Sequence, residues 1–329
     1  MQTSQPDNFV IGVDIGGTKV AAGVVDASGA IPCQTRIPMV TDGGPAAGLA
    51  AVISAIESCR AAGPLASNGL IRGIGICSPG PLDPKTGIVV NPPNLPCWRN
   101  FPLAAEVAQI FGVSVKVDND ANAAALAEAR WGAGRGYQNV FYATIGTGIG
   151  TGIVFSERIY HGRTGAAGEG GHLSIDYRGP RCACGKLGCI EALAAGPAIA
   201  KRARLKLAAD PTRHSLLPEL TSGNIDAITS ETVGQAYAAG DPLAREVLQE
   251  TVQLLTVWLG NIVDLLDPDV IILGGGVAGM LAPFIDEIRN SLPSCCINPR
   301  ASEIPLLPAR YGVDAGIAGG AALCAELLG

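Results

Sequence analysis

Residues 9–26 read FVIGVDIGGTKVAAGVVD, and the interpretation of the whole chain starts from this stretch. Phe9 to Asp14 is a short apolar run that predicts a buried strand, Gly16-Gly17 predicts a turn, and Lys19 to Asp26 predicts a returning strand. Glycines let a backbone approach an anion closely, and their N–H groups can cradle a phosphate. A strand follows the turn and the Gly-Lys-Ser/Thr order is absent, so this is not a Walker A loop.

A second strand, glycine turn and strand follow later in the chain. Val140 to Ile145 and Gly148 to Phe155 are apolar runs on either side of this turn. Each turn alone is a weak indication, because glycine hairpins are common, but two of them with an acidic residue before the first favour a nucleotide-binding protein. Asp14 would hold Mg²⁺ through water, while Thr18 and Lys19 would donate towards phosphate oxygens. The candidate phosphate-binding residues are Asp14, Gly16, Gly17, Thr18, Lys19, Gly146, Thr147 and Gly148.

A third glycine cluster, Gly274 to Gly279, matches G-x-G-x-x-G between a predicted strand and a predicted helix. This pattern is typical of dinucleotide-binding proteins and supports a rival class, an NAD-dependent dehydrogenase. Against this class, no Asp or Glu lies about twenty residues further on, where a ribose partner is expected; Pro293 to Cys296 occupies that region. We therefore interpret Gly274, Gly275 and Gly276 as a close-approach turn beside an adenosine.

One histidine and three cysteines have the spacing His-x9-Cys-x-Cys-x4-Cys, formed by His172, Cys182, Cys184 and Cys189. Zinc binds thiolates and imidazole in a tetrahedron, and this set would close a structural site with no open position. Disulfides are the alternative, but Cys-x-Cys neighbours are poorly placed to pair and one thiol would be left over. Two carboxylates, Glu169 and Glu191, flank the predicted metal loop, so zinc would shape a binding site rather than catalyse.

The composition is typical of a cytoplasmic α/β enzyme. Of 329 residues, 48% are hydrophobic, only 5% are aromatic and 44 are Gly, which favours buried parallel strands and many tight turns. A net charge of −6 argues against a nucleic-acid surface. Residues 1–8 do not have the order of a signal peptide, and no uncharged apolar run is long enough for a membrane span. The ten cysteines are expected to be reduced, with three or so of them on a metal.

Asp118-Asn119-Asp120 lies between a predicted strand, Val113 to Val117, and a strongly helical segment, Ala121 to Trp131. Open α/β sheets present ligand-binding groups where strands end, so this is a candidate site. Either aspartate could instead cap the helix. The two interpretations can coexist, because one carboxylate can cap while the other acts as a base. Two histidines outside the metal loop, His161 and His214, are expected to have packing or surface roles.

Taken together, these motifs resemble those of sugar kinases of the ROK family, most closely its bacterial glucokinases, over nearly the whole chain. The resemblance implies an actin-like, ribonuclease H-like fold with two α/β domains and an active-site cleft between them. The small domain would comprise residues 1–118 plus 315–329. The large domain would comprise residues 119–314 and carry the zinc loop.

The resemblance also implies roles for particular residues. Asp120 would take the proton from the 6-hydroxyl of a hexose, and Asn119 and the backbone at Gly80 would contact the sugar. Glu169, His172 and Glu191 would bind its other hydroxyls, with one ring nitrogen of His172 on zinc and the other on the sugar. The implied reaction is ATP-dependent phosphorylation, with glucose as the expected acceptor. Structural Zn²⁺, Mg²⁺ with ATP and a homodimer are also implied.

Several alternatives stay open at this point. Mannose, fructose, N-acetylglucosamine or N-acetylmannosamine could replace glucose, and polyphosphate could replace ATP, although the turn at Gly274 favours an adenosine. Some members of the family are transcription repressors with a helix-turn-helix before the first phosphate turn. Only eight residues precede Phe9, so we do not expect one here. A sugar-binding module without activity would not need Asp120 together with two phosphate turns.

Overall fold

The computed structural model describes residues 8–66, 69–210 and 212–328. By internal contacts the chain forms two compact units. Unit 1 comprises Met1–Gln138, Gly152–Gly168 and Ala309–Gly329, and unit 2 comprises Asn139–Thr151 and Glu169–Pro308. This division differs from the predicted boundary at residue 118, because the helix that follows Asn119 packs within unit 1. The predicted domain boundaries stay a prediction.

The described chain contains both β-strands and α-helices. The strands are β1 (Asn8–Ile15), β2 (Lys19–Val25), β3 (Cys33–Pro38), β4 (Leu70–Ser78), β5 (Leu82–Asp83), β6 (Ile88–Val89), β7 (Ser114–Asn119), β8 (Asn139–Ile145), β9 (Ile149–Phe155), β10 (Arg158–Ile159), β11 (Val270–Gly274) and β12 (Leu306–Pro308). The α-helices are α1 (Gly44–Arg60), α2 (Leu103–Phe111), α3 (Asp120–Arg130), α4 (Ile190–Ala194), α5 (Gly196–Ala209), α6 (Leu217–Leu220), α7 (Ser230–Ala238), α8 (Pro242–Leu266), α9 (Gly276–Met280), α10 (Ile285–Ser291) and α11 (Ala315–Ala322).

The first sheet lies in unit 1 and has the strand order β3-β2-β1-β4-β7. β1 pairs antiparallel with β2, as the glycine turn predicts, and parallel with β4, which in turn pairs parallel with β7. The closing helix α11 packs directly on this sheet. A Cβ added at Gly12 would lie 1.8 Å from the carbonyl oxygen of Ile317, and one at Gly75 would lie 1.7 Å from that of Gly320. Glycine is therefore required where α11 crosses β1 and β4.

The second sheet has the order β10-β9-β8-β11-β12, and the boundary between the units falls within β9. β11 pairs parallel with both β8 and β12, and its five residues are all buried, which explains their apolar sequence. The long helix α8 is capped by the preceding residue, Asp241, whose side chain accepts a hydrogen bond from the Ala244 amide at 2.7 Å. Across the described ranges, no helix combines the length and the apolar character that a membrane span requires.

Candidate active site

The end of β7 and the start of α3 carry Asp118, Asn119 and Asp120. Asn119 has extended backbone angles, and its side-chain oxygen accepts hydrogen bonds from the amides of Ala121 at 3.0 Å and Asn122 at 3.4 Å. The N-cap of the helix is thus Asn119, and the alternative in which an aspartate provides the cap is wrong. The Ala121 amide also donates to Asp120 Oδ1 at 2.8 Å, so this amide is shared between the cap and the carboxylate that follows it.

The backbone of Gly80 lies beside the same helix start. A Cβ built on Gly80 would lie 3.9 Å from the Nδ2 atom of Asn119. The Asn119 oxygen is directed at the helix amides, so the hydrogen bond of this side chain to Asp120 comes from Nδ2, whose second N–H is the part that can face a ligand. Unit 1 therefore brings together three predicted sugar-site residues: Gly80, Asn119 and Asp120.

The carboxyl group of Asp120 is accessible to solvent. The protein around it nevertheless displaces much of its bulk water, and this desolvation raises its pKa; hydrogen bonds from the Ala121 amide and the Asn119 side chain act in the opposite direction. Burial also raises the pKa of Asp14 to about 6, with the charge of Asp120 adding to the shift and Lys19 and Arg36 opposing it. A carboxylate with a raised pKa is a better proton acceptor at neutral pH than an ordinary aspartate.

The raised pKa of Asp120 predicts an acid limb in the pH dependence of turnover. As the predicted general base, Asp120 must be ionised to act, so kcat is expected to be highest above its raised pKa and to fall as the pH drops through that value. The midpoint should lie above the ordinary Asp value of about 4. Turnover at saturating substrates, measured between pH 4 and 8, checks this, and the residual activity of Asp120→Asn should keep only the limb set by Asp14, whose pKa is raised to about 6. A rate independent of pH down to pH 4 would contradict the assignment of the base.

The first predicted phosphate turn joins β1 to β2. The Gly16 amide donates to the Lys19 carbonyl at 2.9 Å, which closes a tight turn, and the side chains of Thr18 and Lys19 are exposed. A Cβ added at Gly17 would lie 2.9 Å from the carbonyl oxygen of Asn94, so glycine is needed for the approach of that loop. This turn has the shape expected from the sequence.

The second predicted phosphate turn lies next to Glu191 in unit 2. The Gly146 amide donates to the Gly148 carbonyl at 2.9 Å, and the amide of the next residue, Ile149, donates to the Glu191 Oε2 atom at 2.9 Å. The other carboxylate oxygen of Glu191 lies 3.8 Å from His172 Nδ1. One predicted sugar-binding residue therefore contacts both the turn at Gly148 and the predicted metal loop.

This contact makes Gly148→Ala an informative substitution. The new Cβ would lie 2.6 Å from the Glu191 Oε2 atom, the end of a flexible side chain that can move aside. We expect the variant to fold normally and to raise KM for the sugar by about tenfold, the effect of losing one charged hydrogen bond worth about 1.5 kcal/mol. Steady-state kinetics with a melting curve checks this. An unchanged KM for the sugar would show that sugar binding does not depend on the present position of Glu191.

His172, Cys182, Cys184 and Cys189 come together as predicted. Their potential ligand atoms all lie within 4.8 Å of one another. The Cys184 and Cys189 sulfurs are 3.6 Å apart, as are the Cys182 sulfur and His172 Nδ1. Neighbouring ligands of a tetrahedral zinc with these donors lie about 3.5–3.8 Å apart, given Zn–S near 2.3 Å and Zn–N near 2.0 Å. The four residues therefore fit a zinc ion, with His172 offering Nδ1 and keeping Nε2 for another partner.

The segment that begins at Glu169 is positioned by two glycines. The Gly170 amide donates to Thr151 Oγ1 at 2.8 Å, and the Gly170 carbonyl accepts a hydrogen bond from the buried Trp258 indole at 3.0 Å. A Cβ added at Gly171 would lie 1.9 Å from the Ile149 carbonyl oxygen. Glycine at both positions lets the chain lie against β9 and presents Glu169, whose side chain is exposed.

The third glycine cluster borders two cavities in unit 2, of about 480 and 740 Å³. The smaller one also includes the second phosphate turn, at Gly146 and Thr147. Gly275 has a φ of +87°, and a Cβ there would lie 2.3 Å from the Ile145 carbonyl oxygen, so this glycine is fixed by packing. Sequence reasoning did not identify the remaining residues that line both cavities: Ser230, Glu231 and Val277. The capping box at Thr229, which marks the start of α7 just before Ser230, was the sequence pattern that could have indicated this region.

Sequence reasoning also missed a contact of His161. Its Nε2 atom lies 2.6 Å from the Oδ2 atom of the buried Asp118, a partner that the expected packing or surface role did not include. Forty-three residues separate the two in the chain, and no local pattern links them. The exposed histidine His214 agrees with its expected surface role.

Comparisons with known proteins place the chain among sugar kinases and related regulators. The ROK family model matches residues 10–326. A glucokinase of Streptomyces coelicolor is 35% identical over 319 residues, covering 97% of this chain and 98% of the relative. A crystal structure of a ROK family glucokinase from Streptomyces griseus in complex with glucose and AMPPNP is 35% identical, with a TM-score of 0.79 and coverage of 96% and 98%.

A solved ROK family transcriptional regulator, a homolog of the E. coli MLC protein, has a TM-score of 0.83 at 28% identity. The alignment covers 98% of this chain and 78% of the regulator, so likeness of fold does not separate enzyme from regulator. The chain has the actin-like, ribonuclease H-like α/β fold of these structures. From its matched residues and its relatives, the chain belongs to the ROK family.

Proposed function

We propose that the chain is an ATP-dependent hexose kinase that phosphorylates the 6-hydroxyl group, with glucose as the preferred acceptor. The observation that carries this proposal is Asp120, a carboxylate with a raised pKa that lies beside Asn119 at a strand end. The similarity to glucokinases over nearly the full length supports the same reaction. Cytoplasmic location and a homodimer belong to the proposal as well.

Each functional group has a role in the proposed transfer. Asp120 accepts the proton of the sugar hydroxyl as its oxygen attacks the γ-phosphate. Asn119 Nδ2 and the backbone at Gly80 contact the sugar. Glu169 and Glu191 accept hydrogen bonds from its remaining hydroxyls, and charged acceptors make these bonds stronger than neutral ones would. With Nδ1 on zinc, His172 donates to a hydroxyl from its Nε2–H group.

Two metal ions are part of the proposal. Zinc bound by His172, Cys182, Cys184 and Cys189 would be structural, because four protein ligands leave no coordination position open. Its contribution would be to hold the loop between Glu169 and Glu191 in one conformation. Mg²⁺ would arrive with ATP and neutralise charge on the phosphates, near Asp14 and the turn residues Gly16 to Lys19.

A second candidate function is that of a sugar-responsive regulator, because the fold is shared with a transcriptional regulator. Other hexoses and N-acetylhexosamines are alternative substrates within the kinase proposal. A regulator would bind sugar without consuming ATP. The dehydrogenase alternative is not retained, because the chain belongs to the ROK family and Gly275 is explained by packing against Ile145.

A panel of sugars tests the proposal. ADP release with ATP and Mg²⁺ is measured for glucose, mannose, fructose, N-acetylglucosamine and N-acetylmannosamine. We expect the highest kcat/KM with glucose. A higher value for an N-acetylated sugar would retain the reaction and overturn the choice of substrate. Sugar binding by calorimetry without ADP release from any of the five would favour the regulator.

The cavities at Gly276 predict a variant that affects the nucleotide alone. This glycine lines both cavities, and no heavy atom lies within 4 Å of a Cβ added there, so a larger side chain can enter the empty space without disturbing the fold. We expect Gly276→Leu to raise KM for ATP by at least about tenfold, through lost contact with the base, while sugar affinity is unchanged. Steady-state kinetics measures KM for ATP in both proteins, and a parallel assay with polyphosphate shows which of the two is the phosphoryl donor. An unchanged KM for ATP would place the adenosine elsewhere.

A further inference from the structure

The inference concerns the hydrogen bonds around Asp118, the residue two positions before the proposed base. Its carboxylate is buried, with only 5% of the side chain exposed. The Oδ1 atom accepts hydrogen bonds from the Asn119 amide at 2.8 Å and from Asn122 Nδ2 at 3.3 Å. The Oδ2 atom lies 2.6 Å from His161 Nε2. An ionised carboxylate only accepts, so the histidine nitrogen is the donor in this contact.

Asn122 shows how strongly this site demands donors. Its side-chain nitrogen faces Asp118, and this orientation leaves its Oδ1 atom buried without a hydrogen-bond partner among the described residues. The opposite orientation would direct an amide oxygen at a carboxylate oxygen. Leaving one buried amide oxygen without a hydrogen bond costs less free energy than leaving a buried carboxylate charge short of donors. The observed orientation of Asn122 is the one that supplies the carboxylate.

The histidine is itself held in place by a closed turn. Its carbonyl accepts a hydrogen bond from the Ala167 amide at 3.2 Å, and Gly162, with a φ of +66°, lets the chain reverse directly after it. A Cβ on Gly162 would lie 3.0 Å from the Ala167 side chain. The backbone of His161 is therefore fixed by its own loop, and its side chain reaches Asp118 at the end of β7.

We infer that His161 is a positioning residue for the proposed base: through Asp118 it fixes the turn that carries Asn119 and Asp120. The inference rests on the proposed function. Asp118 binds the Asn119 amide directly, and Asn119 caps the helix whose first residue is Asp120. Loss of the histidine donor leaves a buried carboxylate oxygen of Asp118 unpaired. Rotation of the carboxylate towards another donor then changes its hydrogen bond to the Asn119 amide. Asp120 is then displaced relative to the hydroxyl.

The test compares His161→Leu with His161→Gln, whose amide nitrogen can donate from nearly the same place as Nε2. We expect His161→Leu to lower kcat by about 10- to 100-fold, the effect of a small misplacement of a catalytic group. KM for ATP should stay within about twofold, and His161→Gln should keep kcat within about threefold of the wild type, because its hydrogen bond is retained. His214→Leu, at an exposed histidine, is the matched control and should leave both parameters unchanged.

A second arm separates positioning from general stability. In an Asp120→Asn background there is no base to position, so adding His161→Leu should change the residual kcat by less than about twofold, a strongly non-additive result. Equal losses in both backgrounds, or equal losses in His161→Leu and His161→Gln, would overturn the inference. A wild-type chain without phosphotransfer would instead overturn the proposed function, and the two failures are distinct.

Discussion

Asp120→Asn is expected to lower kcat by about 10²–10⁴-fold, the usual contribution of general base catalysis. The amide cannot accept the proton of the sugar hydroxyl, but it keeps the size of the carboxylate and one acceptor oxygen. Sugar affinity should therefore change much less than turnover. The helix start should persist, because Asn119 provides the cap. Single-turnover phosphorylation and sugar binding by calorimetry, carried out on the same preparation, measure the two effects separately.

Asp286→Asn is the control for this substitution. Asp286 is an exposed aspartate on α10 whose ion pair with Arg289 lies at the surface, so its loss should leave kcat unchanged. Near-normal turnover in Asp120→Asn would move the base to another residue. An equal loss of turnover and of sugar affinity would instead make Asp120 a binding residue.

Cys184→Ser is expected to remove zinc and to abolish sugar binding before nucleotide binding. Glu169 and Glu191 flank the metal loop, whereas the first phosphate turn, at Gly16, lies in unit 1. Losing two charged hydrogen bonds of about 1.5–3 kcal/mol each weakens sugar binding by about 100-fold or more. A structural zinc also contributes folding free energy locally, so the loop should become sensitive to proteolysis.

Elemental analysis should find one zinc per chain in the wild type and much less in the variant. Cys33→Ser is the matched control, because it makes the same change at a half-buried cysteine on β3, outside the cluster. Sub-stoichiometric zinc in fully active protein would contradict the structural role. Normal sugar affinity in metal-free Cys184→Ser would do so as well.

The sequence predicts most of the fold, because its main signals are local. The apolar run before Asp14 and the turn at Gly16 predict β1 and β2, and the fold class is confirmed by the solved relatives. The zinc cluster is predictable for the same reason, since its four residues occur within one short segment and assemble as their spacing indicates. Their assignment to zinc stays a prediction.

Long-range contacts are what the sequence does not show. Nothing near His161 indicates that it pairs with Asp118, because the pairing arises only when their separate segments fold together. The helix cap was also unclear, since Asp118, Asn119 and Asp120 are all good capping residues and only the backbone geometry selects Asn119. Gly275 is similar, because its need for glycine comes from Ile145, which lies far away in the sequence.

The product of a reaction with glucose, ATP and Mg²⁺ tests the central claim most directly. Identification of the phosphorylated carbon by ³¹P and ¹³C NMR should show glucose 6-phosphate, formed with one ADP per sugar. No such product should form with 6-deoxyglucose or, within the same time, with Asp120→Asn. Phosphate on another carbon, transfer to none of the hexoses or hexosamines, or undiminished transfer by Asp120→Asn would contradict the assignment of Asp120 as the base of a hexose 6-kinase.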